Sequence, residues 1–163
     1  KYTVRPGFPK DSPSNLFWIK AKHTKDVDAF RLTLDLAPDG GGSPKLVVTF
    51  QGEGGGDGLS GWNLILHPTG TGKVGARLER YDHVFYETQA VAIPTKDKKD
   101  KELASIPLVL TYVDERLTVT IGGADVMRDV SIIPIPGRRR IGVATWGPSL
   151  KFAGFELEAL KEK

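Results

Sequence analysis

Residues 108–123 read LVLTYVDERLTVTIGG, and the fold class is decided there. Leu117, Val119 and Ile121 alternate with Thr118 and Thr120. That period of two turns one face to a core and the other to water. Residues 108–113 form a second run, apolar and partly β-branched. Asp114 and Glu115 alone separate the two runs, which predicts a tight antiparallel hairpin. Gly122 and Gly123 end the return strand.

The same pattern recurs outward from the hairpin. Phe30, Leu32, Leu34 and Leu36 alternate with Arg31, Thr33 and Asp35. Val74, Ala76 and Leu78 alternate with Gly75, Arg77 and Glu79. Residues 16–21, 45–50, 62–67, 84–93, 126–133, 140–146 and 151–160 are apolar or aromatic runs bounded by turn residues, and each reads as a strand. About eleven strands follow, spaced by turn signals such as Pro38-Asp39-Gly40 and Pro136-Gly137. One short amphipathic stretch, 98–105, is a helix candidate ahead of Pro107. No βαβ alternation appears, so the expectation is an all-β, two-sheet antiparallel sandwich or barrel.

The 163 residues suit one domain, 1–163, with 39% hydrophobic and 26% charged residues. Segment 1–14, with three Pro, reads as an extended N-terminal stretch along the sandwich edge. The Gly-rich run 52–61, GEGGGDGLSG, lies between two strands and reads as a loop. Net charge is +3, with basic and acidic residues mixed along the chain, so no basic face points to nucleic acid. KDKKDK at 96–101 sets four Lys against two Asp and reads as a solvated loop. The absence of Cys excludes disulfides and thiolate metal sites. No apolar run reaches the roughly 18 residues that cross a bilayer as a helix, so no membrane insertion is expected. The opening KYTVRPGFPK has no apolar signal core and no initiator Met. We expect a domain of a longer, exported or envelope protein.

Two stretches resemble a known superfamily. Residues 108–123 are similar to the hairpin of laminin-G-like and concanavalin A-like domains, with Asp114, Glu115, Leu117, Val119, Ile121 and Gly122 in the matching places. Residues 140–160, RIGVATWGPSLKFAGFELEAL, resemble the closing strands of the same jelly rolls, most nearly those of bacterial 3-keto-disaccharide hydrolase-like domains. The resemblance implies a jelly roll. It does not name a ligand, because these motifs are structural and the superfamily holds glycan binders, glycan hydrolases, adhesion modules and spacers.

Hydrolysis on a jelly roll needs paired carboxylates. The E-x-D-x-x-E spacing of laminarinase-like relatives is missing. Glu156 and Glu158 share a face, but Phe155 and Leu157 beside them claim the core, so the pair reads as solvent-facing. Glu79 and Asp82 stand three apart and diverge on a regular strand. His23, His67 and His83 show no HxH or HxxxH spacing. Gly70-Thr71-Gly72-Lys73 lacks the phosphate-loop spacing. No cofactor is implied by motif. The resemblance implies Ca²⁺ as the one metal, with Asp57 and Asp82 as candidate ligands, and the lack of any D-x-D cluster argues against it.

Sugar binding calls for aromatic faces beside polar groups. Trp62 follows the Gly-rich loop and Trp146 ends a strand, so both are candidates for a binding rim. Arg77, Glu79 and Tyr81 share a wet face under regular alternation. The competing reading makes the Trp residues core and the polar row plain solvated surface. Arg138, Arg139 and Arg140 either bind an anionic group or guard a strand edge. The leading expectation is a non-catalytic carbohydrate-binding or interaction module with a glycan or protein ligand. A glycan-processing enzyme and a structural domain are the alternatives.

Overall fold

A computed structural model describes residues 2–4, 15–19, 24, 27–38, 45–52, 61–70, 73–88, 91–92, 106–137, 140–146 and 150–161. Among these, thirteen strands and no helix are present. They are β1 (Tyr2–Val4), β2 (Asn15–Trp18), β3 (Ala29–Pro38), β4 (Lys45–Gly52), β5 (Trp62–Gly70), β6 (Lys73–Arg80) and β7 (His83–Glu87). There follow β8 (Val91–Ala92), β9 (Ile106–Val113), β10 (Arg116–Ile121), β11 (Ala124–Ser131), β12 (Arg140–Trp146) and β13 (Leu150–Leu160). The helix candidate 98–105 and most of the Gly-rich run lie outside the described residues.

The strands form two antiparallel sheets. A six-stranded sheet runs β1-β13-β3-β9-β10-β11, and a seven-stranded sheet runs β2-β12-β4-β5-β6-β7, with β8 also paired to β6. The two-sheet expectation therefore holds. The 108–123 hairpin is β9–β10, in register from Arg116 opposite Val113 to Ile121 opposite Leu108. Asp114 (φ 49°) and Glu115 (φ 59°) are both left-handed, as a two-residue turn matched to the twist of its strands requires.

Two strands exceed the expected eleven. Residues 2–4 pair along β13 at the edge of the six-stranded sheet. The run 84–93 divides into β7 and β8 at Thr88. There the Thr88 hydroxyl, not its carbonyl, accepts from Ala76 N (3.2 Å), while Thr88 N donates to the Ala76 carbonyl (2.9 Å). A side chain has taken the place of a backbone acceptor, and the ladder breaks. The expected strand 126–133 ends at Ser131, ahead of Pro134.

One core joins the sheets. Leu32, Leu34, Leu108, Leu110, Leu117, Val119, Phe155 and Leu157 face Leu46, Val48, Phe50, Trp62, Leu64, Leu66, Leu78 and Val143. The rings of Phe30, Phe50 and Tyr112 lie 5.6–6.0 Å apart near one end. Inward residues alternate with outward ones along every one of these strands, as the pleat requires.

Candidate functional site

Alternation also sets the outer face of the seven-stranded sheet. Trp62, Leu64 and Leu66 of β5 enter the core, so Asn63, Ile65 and His67 face away from it. Ala76 and Leu78 of β6 enter the core, so Gly75, Arg77 and Glu79 face away. The register sets Asn63 opposite Glu79, Ile65 opposite Arg77 and His67 opposite Gly75. On the far side of β6, Glu87 of β7 stands opposite Arg77, and Val84 opposite Glu79. Val47, Ile65 and Ala144 form a small buried apolar cluster on this face, nearer the sheet centre. Polar side chains take over towards β7.

Arg77 Nε lies 2.5 Å from Glu79 Oε1. Its N–H is turned off that line, so the contact is an ion pair and not a hydrogen bond. His67 Nε2 is 3.9 Å from Glu87 Oε1. These two residues sit on strands separated by β6, so their backbones are roughly 10 Å apart. His67 lies opposite Gly75 and Glu87 opposite Arg77, so the two side chains approach on a diagonal across β6. His67 and Arg77 are partly shielded, with side chains 22% and 34% exposed, while Glu87 at 55% stands in water. The row thus offers an imidazole, a guanidinium and two carboxylates at one surface. Such a set donates to and accepts from hydroxyl groups, which do both themselves.

The expected site residues are placed as follows. Arg77 and Glu79 do share a face and do touch. Tyr81 does not extend their row. Alternation ends at Arg80, because Tyr81 (φ 50°) and Asp82 (φ 61°) are the two left-handed residues of the turn joining Arg80 to His83. Trp62 is not a rim residue: it is 2% exposed, and its indole Nε1 donates to the Ile133 carbonyl at 2.9 Å. It starts β5 on the inward parity, and that parity decides its place. Trp146 ends β12 opposite Lys45, and its side chain lies outside the described residues. His67 and Glu87 are additions. His67 was readable as the next outward position after Asn63 and Ile65. Glu87 was not, because a bulge in β7 between the Val84 and Tyr86 pairings shifts its parity.

Other candidates scatter. Glu158 pairs with Arg31 at 3.3 Å on the outer face of the other sheet. Asp82 and His83 are exposed at the turn. Asp57, His23, Arg138, Arg139 and 96–101 lie outside the described residues. Arg140 opens β12 opposite Gly52. Among the described residues, no three His, Asp or Glu gather where they could hold a metal ion. A cleft of about 210 Å³ opens at the sandwich end, lined by Phe30, Gln51, Tyr112, Glu115 and Ile135 among others. Gln51 fills its floor: Nε2 donates to Tyr112 Oη (2.8 Å), and Oε1 accepts from Ile135 N (3.0 Å).

No protein-family model and no curated protein matches the chain. Solved structures do. A human galectin-16 variant superposes with a TM-score of 0.60 at 11% identity, covering 95% of this chain and 100% of its own. The fold is galectin-like. A Bacillus subtilis protein of unknown function with a galectin-like fold gives 0.59 at 15% identity, covering 92% and 79%. The carbohydrate-binding module CBM66 from Bacillus subtilis gives 0.54 at 12% identity, covering 80% and 74%. At these identities the likeness concerns the fold.

Proposed function

We propose that the chain is a carbohydrate-binding module that holds its glycan across β5, β6 and β7 on the outer face of the seven-stranded sheet. One observation carries the reading: the His67–Glu87 and Arg77–Glu79 contacts stand on neighbouring strands there, a partly shielded row of donors and acceptors that reaches water at Glu87. Each hydroxyl of a sugar can be paired by such a row, and a bidentate guanidinium adds direction. The neighbouring structures include galectins and a carbohydrate-binding module, which supports the same reading. In this reading the module serves a larger exported or envelope protein.

The test is calorimetric titration against a panel of neutral and acidic glycans, with amide chemical shifts to locate the contact. Binding should move the amides of residues 63–67, 75–79 and 84–87. Arg77→Ala should weaken it about tenfold or more, since a hydrogen bond to a charged group is lost. Shifts confined to other parts of the chain, or no binding at all, would refute the reading.

A second reading has one observation behind it. Glu79 and Glu87 both flank Arg77 on the same face, and two carboxylates can serve acid–base hydrolysis. It matches the resemblance to 3-keto-disaccharide hydrolase-like domains. Product formation from a bound glycan, lost in Glu79→Gln and Glu87→Gln, would favour it over simple binding.

A further inference from the structure

Five large apolar side chains stand exposed among the described residues: Tyr81, Val84, Phe85, Tyr86 and Ile133. Two of them, Tyr81 and Phe85, flank a cation–π cluster built on the buried Trp62. Phe85 meets the Trp62 ring edge-on at 4.9 Å, and the Trp62 indole bonds the backbone of Ile133. The Arg80 guanidinium carbon lies 5.6 Å from the centre of the Trp62 ring and 5.0 Å from that of Tyr81. Ring faces attract a guanidinium and leave its in-plane N–H groups unused.

Those N–H groups have no partner among the described residues. Among the described residues no carboxylate lies within 4.0 Å of Arg80, and its Nε is buried without a hydrogen bond. Nearby acids are engaged or turned away. Glu79 pairs with Arg77, Glu87 approaches His67, and Asp82, two residues on in the turn, makes no ion pair with Arg80. A partly buried guanidinium whose Nε finds no acceptor among the described residues suits a planar oxyanion. The outer-face row, in contrast, sets two basic groups against two carboxylates and does not select charge.

We propose that Arg80 recognises an acidic sugar residue: its fork takes the carboxylate of a uronic acid while Tyr81 and Phe85 lie against the apolar face of the ring. The proposal rests on the carbohydrate-binding reading and adds the class of glycan, through a contact at the β6–β7 turn: Arg80 has the core-side parity of Ala76 and Leu78 and stands apart from the outer-face row. The probes are oligogalacturonate, oligomannuronate and hyaluronan oligosaccharides, each compared with its own methyl ester, which keeps the sugar and removes the charge. In at least one pair the acid should bind about tenfold or more tightly than the ester, with the difference shrinking as salt is added. Arg80→Gln should abolish the preference and leave binding of the ester in place. Arg80→Lys should restore part of it, since the charge returns without the fork. Circular dichroism checks each variant. If Arg80→Gln does not fold, Arg80→Lys carries the same comparison, because it removes the fork and should shrink the preference for acid over ester.

Equal affinity for acid and ester overturns the proposal, and so does a preference that survives Arg80→Gln. Binding of neutral glycans with no acidic one bound also overturns it, while leaving the carbohydrate-binding reading intact. Failure of every glycan, neutral or acidic, removes that reading and this proposal with it.

Discussion

Gly61 shows how much one residue can constrain. A Cβ placed there would stand 2.1 Å from the Phe50 carbonyl oxygen and 2.8 Å from Gly52 N. Both are backbone atoms of the neighbouring strand, so no rotamer relieves the clash. Gly61→Ala should lower stability by about 2 kcal/mol or more, read from urea denaturation. Charge at an exposed site behaves differently. Asp125 accepts from Arg128 and from Thr120, and the Arg128 contact above all holds its carboxyl below the usual carboxylate range. A folded-state value below the unfolded one means a contribution present above the unfolded value and lost as pH falls through the folded one. An NMR titration of Asp125 should show the depressed midpoint, and Arg128→Ala should return it towards the ordinary value. On this exposed edge, the change in stability should be small.

Hairpins carry the element scale. Asp114 and Glu115 fill left-handed positions where Asn-Gly is the favoured pair. Replacing both, Asp114→Asn with Glu115→Gly, should raise stability by roughly 1 kcal/mol and leave the β9–β10 register unchanged. A rise in thermal midpoint with an unaltered spectrum checks it. Glu115 lends its backbone carbonyl to Ile132 N (2.8 Å), a bond the substitution keeps. Thr88 gives a second test. Thr88→Val removes the hydroxyl that accepts from Ala76 N, so hydrogen exchange at Ala76 should quicken, by the loss of a bond worth about 1 kcal/mol.

The whole molecule depends on pairings distant in sequence. β13 lies between β1 and β3, and β12 lies between β2 and β4, so the last strands complete both sheets. A chain ending before Leu150 would expose the edge of β3, where Leu157 stands opposite Leu32, and remove Phe155 and Leu157 from the core. Such a truncation should give no cooperative unfolding transition by calorimetry. Long-range pairing also predicts slow folding, on the order of milliseconds to seconds in stopped-flow fluorescence of the buried Trp62.

Local pattern was enough for the strands. Alternation in residues 30–36, 74–79 and 117–121 fixes which side chains face in, because the side-chain period of a strand belongs to the backbone itself. The Asp114-Glu115 turn set the pairing of its own hairpin, since a two-residue loop allows only antiparallel neighbours. Arg77 and Glu79 were legible as a pair for the same reason. Trp62, Tyr81 and Glu87 were not. The strand 62–67 begins at Trp62 in the sequence too, but only packing put that first position in the core and not at a rim, and Tyr81 left its row through a left-handed turn that no Gly announced. Glu87 joined the row through a bulge in β7. Which strands lie side by side is a matter of long-range pairing, and neighbours such as β12 and β4 are separated by most of the chain. The sequence by itself determined the all-β class and the inward faces, which are set by contacts between residues close along the chain. Tertiary structure alone decided that His67 and Glu87 meet across β6, and that Arg80 lies over Trp62, because those contacts exist only once separate strands are brought into register.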